Sequence, residues 1–408
     1  MSKQHDRLQR IEAGNNQLLM AGKTAEELSA IAGGTPFYIY DRRQLVERVE
    51  SLRGQMPSAL KLHYAMKANP MPALVQFMGS LVDGLDVASH REMLVALGSG
   101  VTPENISFAG PAKREEELRA AVAAGIIINV ESELELERLY SISESAGILP
   151  KVAFRVNPDF ELKSSGMKMA GGPKQFGIDA ERMPDLLKEL KTDKVELCGF
   201  HIFSGSQNLK TESLIEAHDK TFELAEKLVS LSPVKIRHVN IGGGLGIPYF
   251  PGEKALDVQP VAENLERLLS ARKETWLETE VVMELGRYFV GEAGYYVCQI
   301  TDKKVSRGQT FLMTDGGLHH HLSNSGNFGQ VIRKNYPVVI ANRLESEEKE
   351  KVEIAGPLCT PLDIVGAKME LPKAEVGDYV AVLQSGAYGA SASPQAFLSH
   401  PEVKELFL

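Results

Sequence analysis

Cysteine is scarce in this chain: Cys198, Cys298 and Cys359 are the three, widely spaced and odd in number. They form neither a zinc-binding pattern nor a disulfide framework, so a reducing compartment is expected. No stretch approaches the ~20 apolar residues that span a bilayer. The opening residues, Met1-Ser-Lys-Gln-His-Asp-Arg7, are polar and mixed in charge, with no apolar run of the kind a signal peptide carries. A cytoplasmic protein without a membrane partner is therefore expected. Basic charge is not in excess, since 45 lysines and arginines against 54 acidic residues leave a net charge of −9. That balance argues against a general nucleic-acid binder and against docking on anionic lipid. No internal repeat is visible beyond an alternation of strand-like and helix-like segments.

What is present suits a globular fold. The 408 residues are 43% hydrophobic and 24% charged, enough for two domains with ample core. After a polar leader comes a short aromatic strand candidate, Phe37–Tyr40. From about residue 60 short apolar runs alternate with amphipathic helices. The candidate strands are Leu62–Met66, Gly84–Ala88, Ile106–Ala109, Ile126–Val130, Val152–Val156, Leu197–Phe203, Ile236–Ile241 and Val281–Leu285. Ser89-His-Arg-Glu92 and Ser132-Glu-Leu-Glu135 fit the capping-box pattern at helix starts. Residues 114–124, 213–231 and 261–271 carry apolar side chains at helical spacing. Alternation of this kind implies parallel strands with right-handed crossovers. Eight units match the size of a closed (β/α)8 TIM barrel, about 250 residues, better than an open doubly wound sheet. Past about residue 290, Tyr295–Ile300, Thr310–Thr314, Val352–Ala355 and Asp378–Leu383 predict an antiparallel β-domain.

The unusual residues collect at the C-terminal ends of the candidate strands. Lys67, Asp86, Arg155, His201 to Gln207, Gly242 to Gly244 and Glu284 to Arg287 all fall there, on the rim where such barrels build active sites. Lys67 would be partly desolvated beside Tyr64 and Met66; an uncharged amine can form an imine with an aldehyde. The plain alternative is a snorkelling lysine. Gly242-Gly-Gly244 lets backbone amides approach a phosphate, aided by the dipole of a following helix, or is simply a tight loop. Glu284 can keep a cofactor's pyridine nitrogen protonated and Arg287 can reach its phosphate, or the two are a structural ion pair. His319-His-His321 invites a metal reading. On a strand, adjacent histidines point to opposite faces, so substrate contact or packing is expected and no metal site.

Eight motifs in order carry a resemblance: Tyr64-Ala-Met-Lys-Ala-Asn69, Arg155-Val-Asn-Pro158, Gln175-Phe-Gly177, Gly205-Ser-Gln207, Gly242-Gly-Gly244, Glu284-Leu-Gly-Arg-Tyr288, Gly356-Pro-Leu-Cys359 and Gly386-Ala-Tyr388. Over roughly residues 35–400 the chain resembles the fold-type III decarboxylases that use pyridoxal 5'-phosphate (PLP), the family of diaminopimelate and ornithine decarboxylases. The resemblance implies residues 1–41 as a leader whose strand joins the β-domain, residues 42–290 as the PLP-binding barrel and residues 291–408 as the β-domain. It implies a homodimer with shared active sites. Lys67 would form the Schiff base, decarboxylation would pass through a quinonoid, and Glu284 would face the pyridine nitrogen. Ser206, Gly243, Gly244, Gly286, Arg287 and Tyr388 would hold the phosphate side. Asp86 and Arg155 would line the ring. Cys359, a candidate proton donor, and Asp363, a substrate contact, would come from the other subunit.

Two departures matter. The family usually has His-Ile-Gly-Ser, with the histidine stacked on the PLP ring. Here Phe203-Ser-Gly-Ser206 places Phe203 at the stacking position, with His201 two residues earlier as a substrate contact. Decarboxylases of basic amino acids typically carry an acid directly after the cysteine, where this chain has Thr360-Pro361. Residues 166–177, 204–209, 246–250, 318–321 and 357–361 resemble a subgroup that acts on modified or carrier-linked amino acids. It includes the glutamyl-[acyl-carrier-protein] decarboxylase of butirosin biosynthesis, siderophore-pathway decarboxylases and exosortase-associated decarboxylases. An acyl-carrier protein is thus a candidate partner, and the Lys163–Lys174 segment a candidate lip for it or a solvated loop. The alternatives are a meso-diaminopimelate decarboxylase and a PLP-holding homologue without catalysis. An alanine-racemase-type enzyme would place arginine, not Glu284, against the pyridine nitrogen.

Overall fold

The computed structural model describes residues 5–160, 167–168, 172–330 and 332–408, which form two compact units. One comprises Arg48–Gly246 and Leu256–Gly286; the other comprises residues 5–47, Ile247–Ala255 and Arg287–Leu408.

The first unit is a closed parallel barrel. Its eight strands are Leu60–Ala65, Gly84–Val87, Ile106–Phe108, Ile127–Val130, Lys151–Asn157, Glu196–Ile202, His238–Asn240 and Glu280–Leu285. Each pairs in parallel with the next, the last returns to the first, and Ile127–Val130 against Lys151–Asn157 completes the ring. The expected segments are the observed ones, with ends shifted by one or two residues. Side chains alternate between the helix layer and the lumen because the strand period is two. Leu60, Leu62 and Tyr64 are buried against the helices, while His63 faces inward with Gly84, Asp86 and Ser107 of the neighbouring strands.

Helices form where the spacing predicted them. Thr211–Leu231 buries Leu214, Ala217, Thr221, Ala225 and Leu228, a stripe at three- and four-residue intervals, with Phe222 beside it. Each large side chain of the stripe contributes about 1.5–3 kcal/mol of burial. Glu115–Ala124 opens on three glutamates and stops at Gly125 in the left-handed conformation. The two expected capping boxes are only half formed. Ser89 and Ser132 do accept the amides of Glu92 and Glu135. The Glu92 carboxylate, however, takes the amide of Ala88, and Glu135 is drawn 2.8 Å from Lys113. A full box forms at Thr24–Glu27, where no helix had been expected.

The second unit is built on a sheet ordered Val338–Ile340, Tyr379–Val382, Gly294–Ser306, Gln309–Thr314, Lys349–Ala355, Ile364–Pro372. Phe37–Tyr40 pairs antiparallel with Gly294–Ser306 and parallel with Lys404–Phe407. The sheet is therefore mixed rather than purely antiparallel, with a second parallel pairing between Gln309–Thr314 and Lys349–Ala355. Phe37, Ile39, Tyr295, Val297 and Leu383 pack with Leu18, Met20 and Leu28 into its core. No helix among the described residues is long and apolar enough to cross a membrane.

Candidate active site

At the C-terminal rim of the barrel the first strand runs into a single turn, Met66–Ala68, that carries Lys67. Its Nζ donates to Oε1 of Glu284 at 3.1 Å and lies 5.5 Å from the centre of the Phe203 ring. Glu284 is deeply buried, while the lysine side chain keeps 41% of its exposure and remains reachable. On the other side of the carboxylate, Nε2 of His201 stands 3.2 Å from Oε2. It is near enough for attraction but off the line of a hydrogen bond. Burial alone would raise the Glu284 pKa. The charge of Lys67, then contact with His201, more than offsets that and holds the carboxyl well below the usual range. The arrangement is an ionised carboxylate beneath a half-exposed amine.

The glycine run lies beside this pair. A Cβ on Gly243 would sit 2.0 Å from the Glu284 carbonyl oxygen, so only glycine permits this approach. Gly244 has φ +92°, a backbone state that side chains rarely adopt. Gly286 is equally constrained, since a Cβ there would meet Ala65 O and Ala68 Cβ at 2.9 Å. A tight, side-chain-free cradle within the unit that carries the amine suits a phosphorylated aldehyde cofactor. The helix expected to follow the glycines directly begins only at Gln259. Any anion held there therefore relies on loop amides, not on a helix dipole. Ser206 lies in the same rim, in a two-residue strand paired with Met167–Lys168.

Asp86 and Arg155 are buried and bound to neighbours. Asp86 Oδ1 accepts from Ser107 at 2.6 Å, with His63 Nδ1 at 3.3 Å. Arg155 donates to Glu131 at 2.9 Å and lies under the Phe176 ring at 4.9 Å. Glu131 also accepts from the amides of Gly110 and Gly177 at 2.6 and 3.2 Å. Neither His63 nor Glu131 was singled out in the sequence. Strand parity could have found His63, because it shares a face with Asp86. Glu131 carries no local signal.

The remaining predicted residues belong to the second unit. Arg287 donates to Tyr249 Oη at 3.1 Å and faces the Tyr388 ring at 4.6 Å. Burial opposes its charge, but Tyr249, Tyr336 and Tyr388 together keep it firmly protonated. Cys359 is exposed. Asp363, expected to meet substrate, uses Oδ1 and Oδ2 on the amides of Leu318 and Leu358 at 2.6 and 2.8 Å. It pins the loop that carries Cys359 instead of offering a free carboxylate. His201 is likewise not a surface contact, being 2% exposed. His319–His321 form a turn, not a strand, and their neighbours are protein groups: His320 meets Pro401 O, and His321 meets Ser385 Oγ. No group of three or more metal-donor side chains is placed to share an ion among the described residues. Most of Lys163–Lys174 lies outside the described residues.

Comparison with known proteins fits this site. Residues 42–291 match the family model of the pyridoxal-binding domain of pyridoxal-dependent decarboxylases. The chain belongs to that family. This decarboxylase is 37% identical to the L-glutamyl-[BtrI acyl-carrier protein] decarboxylase of Niallia circulans, over 91% of this chain and 88% of the relative. It is 34% identical to the diaminopimelate decarboxylase of Aquifex aeolicus, over 94% and 89%. A Staphylococcus aureus relative, 2-[(L-alanin-3-ylcarbamoyl)methyl]-2-hydroxybutanedioate decarboxylase, is 30% identical over 94% and 96%. The crystal structure of Helicobacter pylori diaminopimelate decarboxylase with L-lysine superposes with a TM-score of 0.82 at 27% identity, covering 94% of each chain. The enzyme is thus a PLP-dependent decarboxylase, and the Lys67–Glu284 pair with its glycine cradle is a site that fits the cofactor.

Proposed function

We propose that this decarboxylase removes the α-carboxylate from a modified or carrier-linked amino acid. The observation that carries the reading is the loop after Cys359. Its next residues are the uncharged Thr360 and Pro361, and its own carboxylate, Asp363, is engaged by two backbone amides. That loop offers no charge to a distal ammonium, which a free basic amino acid would present. Two of the relatives support the reading, because their names describe amino acids already joined to a larger group.

Bound PLP supplies an electron sink for the pair left on carbon when CO2 departs. Lys67 would anchor its aldehyde covalently, and Glu284 would hold a proton on its ring nitrogen. The half-buried Phe203 would lie against the cofactor's ring, and His201, buried behind Glu284, would stabilise the carboxylate. Asp86 and Arg155 bound the ring side. Ser206, Gly243, Gly244 and Gly286 accommodate the phosphate, and Arg287 and Tyr388 keep the phosphate role that the family resemblance gives them. In a homodimer the exposed Cys359 would serve the partner subunit as proton donor to the reacting carbon.

The test is CO2 release from three substrates offered in parallel: free meso-diaminopimelate, free glutamate, and glutamate thioester-linked to an acyl-carrier protein. Release from the linked substrate alone is expected. Turnover of free diaminopimelate at a comparable kcat/KM would replace this reading with the alternative, a meso-diaminopimelate decarboxylase.

A further inference from the structure

Barrels of this class usually fill their lumen with branched apolar side chains. Here the lumen is polar. His63, Asp86, Ser107, Asn129, His238 and Asn240 line a cavity of about 40 Å³ inside the strands. A water needs about 10–15 Å³ of such volume, so roughly three fit, each with polar partners. At the end where the strands begin, the cavity is edged by the exposed Glu104 and Glu280.

The polar groups form an ordered series. Asn129 Nδ2 donates to Ser107 Oγ at 3.0 Å, and Ser107 donates to Asp86 Oδ1 at 2.6 Å. His63 Nδ1 stands 3.3 Å from the same oxygen. Asp86 Oδ2 is buried with no hydrogen-bond partner among the described residues, although it belongs to a cavity-lining side chain. A carboxylate oxygen left so costs free energy unless a water meets it. Space for the imidazole is also built in: a Cβ on Gly84 would lie 2.5 Å from Cε1 and Nε2 of His63. In parallel register His63 is the direct neighbour of Glu284.

Loss of CO2 from an α-amino carboxylate leaves an electron pair on carbon. That pair forms a C–H bond with a proton drawn from solvent, so each turnover consumes one proton. We propose that the polar lumen is the uptake path, in which His63, seated on Asp86, passes protons from the Glu104–Glu280 end of the barrel toward the Lys67–Glu284 site. The proposal rests on the decarboxylase reading above and adds a positioning and proton-holding residue to it.

The charges around His63 are consistent with the role. Burial disfavours its imidazolium, but Asp86 restores it by charge and hydrogen bond, assisted by Asp83 and Glu284, and its pKa ends above the ordinary value. His238 behaves oppositely. Burial, then repulsion from His63, Arg237 and His201, pushes it down to about 3. One histidine of the lumen thus holds a proton more readily than an ordinary imidazole, while the other stays neutral.

The experiment compares wild type, His63→Phe and His63→Ala as holoenzymes. His63→Phe is expected to release its first CO2 per site at the wild-type rate. Its steady-state rate should fall roughly 100-fold, the lower end of what positioned proton transfer contributes. Its solvent deuterium isotope effect should rise, and added imidazole should restore His63→Ala. A steady-state rate within about twofold of wild type, with an unchanged isotope effect and pH profile, would overturn the proposal. A second readout needs no turnover: ¹⁵N NMR of the imidazoles in protein without added cofactor. The His63 N–H should exchange with solvent rapidly, and protection lasting hours would also overturn the path. Absence of CO2 from wild type with every substrate would defeat the decarboxylase reading by itself, and the exchange measurement would still decide whether the lumen conducts.

Discussion

Nζ of Lys67 lies 3.1 Å from Oε1 of Glu284, joining the first and last strands of the barrel across its rim. The carboxylate is buried and the amine half-exposed, so the pair is poised for exchange: the amine can leave toward an incoming aldehyde while the carboxylate stays charged. Because the folded pKa of Glu284 lies below its unfolded value, the stability it contributes is present above about pH 4.3. That contribution is lost only as pH falls toward the folded value. Glu284→Gln keeps the shape and removes the charge. The variant is expected to bind PLP and to lose roughly 10²–10³-fold in kcat, the scale of removing one electrostatic stabiliser. Absorbance spectroscopy gives cofactor content and CO2 release gives the rate. An unaltered kcat would show that the carboxylate is not the group facing the ring nitrogen.

Lys67→Ala tests the anchor. Borohydride reduction of the wild-type holoenzyme should fix the cofactor covalently on the peptide containing Lys67. Lys67→Ala should yield no labelled peptide and no turnover. A label on another lysine would reassign the anchor.

Glu131 ties two loops to a barrel strand, accepting from Gly110, Gly177 and, in Lys151–Asn157, Arg155. Its removal would free Arg155 and leave two amides short of an acceptor. Glu131→Gln retains one acceptor oxygen and loses the ion pair, so a rise in substrate KM with a smaller change in kcat is expected. The fold should survive, because the change leaves no large cavity. A steady-state comparison with thermal unfolding checks both halves of that statement, and an unchanged KM would remove Glu131 from the positioning of Arg155.

The barrel was readable because each strand is a compact apolar run and each helix a periodic one. The rim residues were readable because strand ends can be located to within a residue or two. What escaped notice shares a different character. Val338–Ile340 is apolar but only three residues long, and Lys404–Phe407 carries Lys404 and Glu405, so neither stands out as a strand. Their order comes from partners far away in the chain, Tyr379–Val382 and Phe37–Tyr40. Asp363 looked available for substrate since acidity is visible in a sequence, whereas two amides converging on it are not. Glu131 was overlooked for the same reason.

The glycine cradle makes a steric prediction. A methyl at position 243 would stand 2.0 Å from the Glu284 carbonyl, with backbone on one side and Leu285 Cδ2 at 2.8 Å on the other. Neither the backbone nor this packed side chain can yield without moving the strand that carries Glu284. Gly243→Ala is expected to lower thermal stability by about 1–3 kcal/mol, the usual cost of overpacking. It should also weaken PLP retention on dialysis. Gly54→Ala, where a Cβ meets nothing within 4 Å and φ is ordinary as at Gly243, serves as the control for the added methyl alone. Equal effects from the two changes would mean that the close approach at Gly243 carries no special weight.

Acid sensitivity should be set by histidines held neutral. His218 and His321 are enclosed and pushed down to about 4 and about 3, in both cases chiefly by burial. His238, in the lumen, is also pushed down to about 3. A group whose folded pKa lies below its unfolded value binds fewer protons when folded. Its stabilising effect is therefore complete above about pH 6.5 and declines as pH falls through the window down to 3–4. Each imidazole costs about 1.4 kcal/mol per pH unit in that window, or about 2 kcal/mol at pH 5. Those sums approach the whole stability of a typical domain, about 5–15 kcal/mol. His218 has a further consequence, because its ring contacts the backbone of Gly243. Burial outweighs that contact, which by itself favours the charged ring, so protonation should drive the imidazolium toward water and is expected to disturb the cradle before the barrel opens. Cofactor release, followed by absorbance, is therefore expected at a higher pH than the loss of helical circular dichroism. His218→Gln should shift the release midpoint to lower pH and leave the circular dichroism midpoint less affected. Coincident midpoints in wild type would show that His218 acts on global stability and not on the glycine loop.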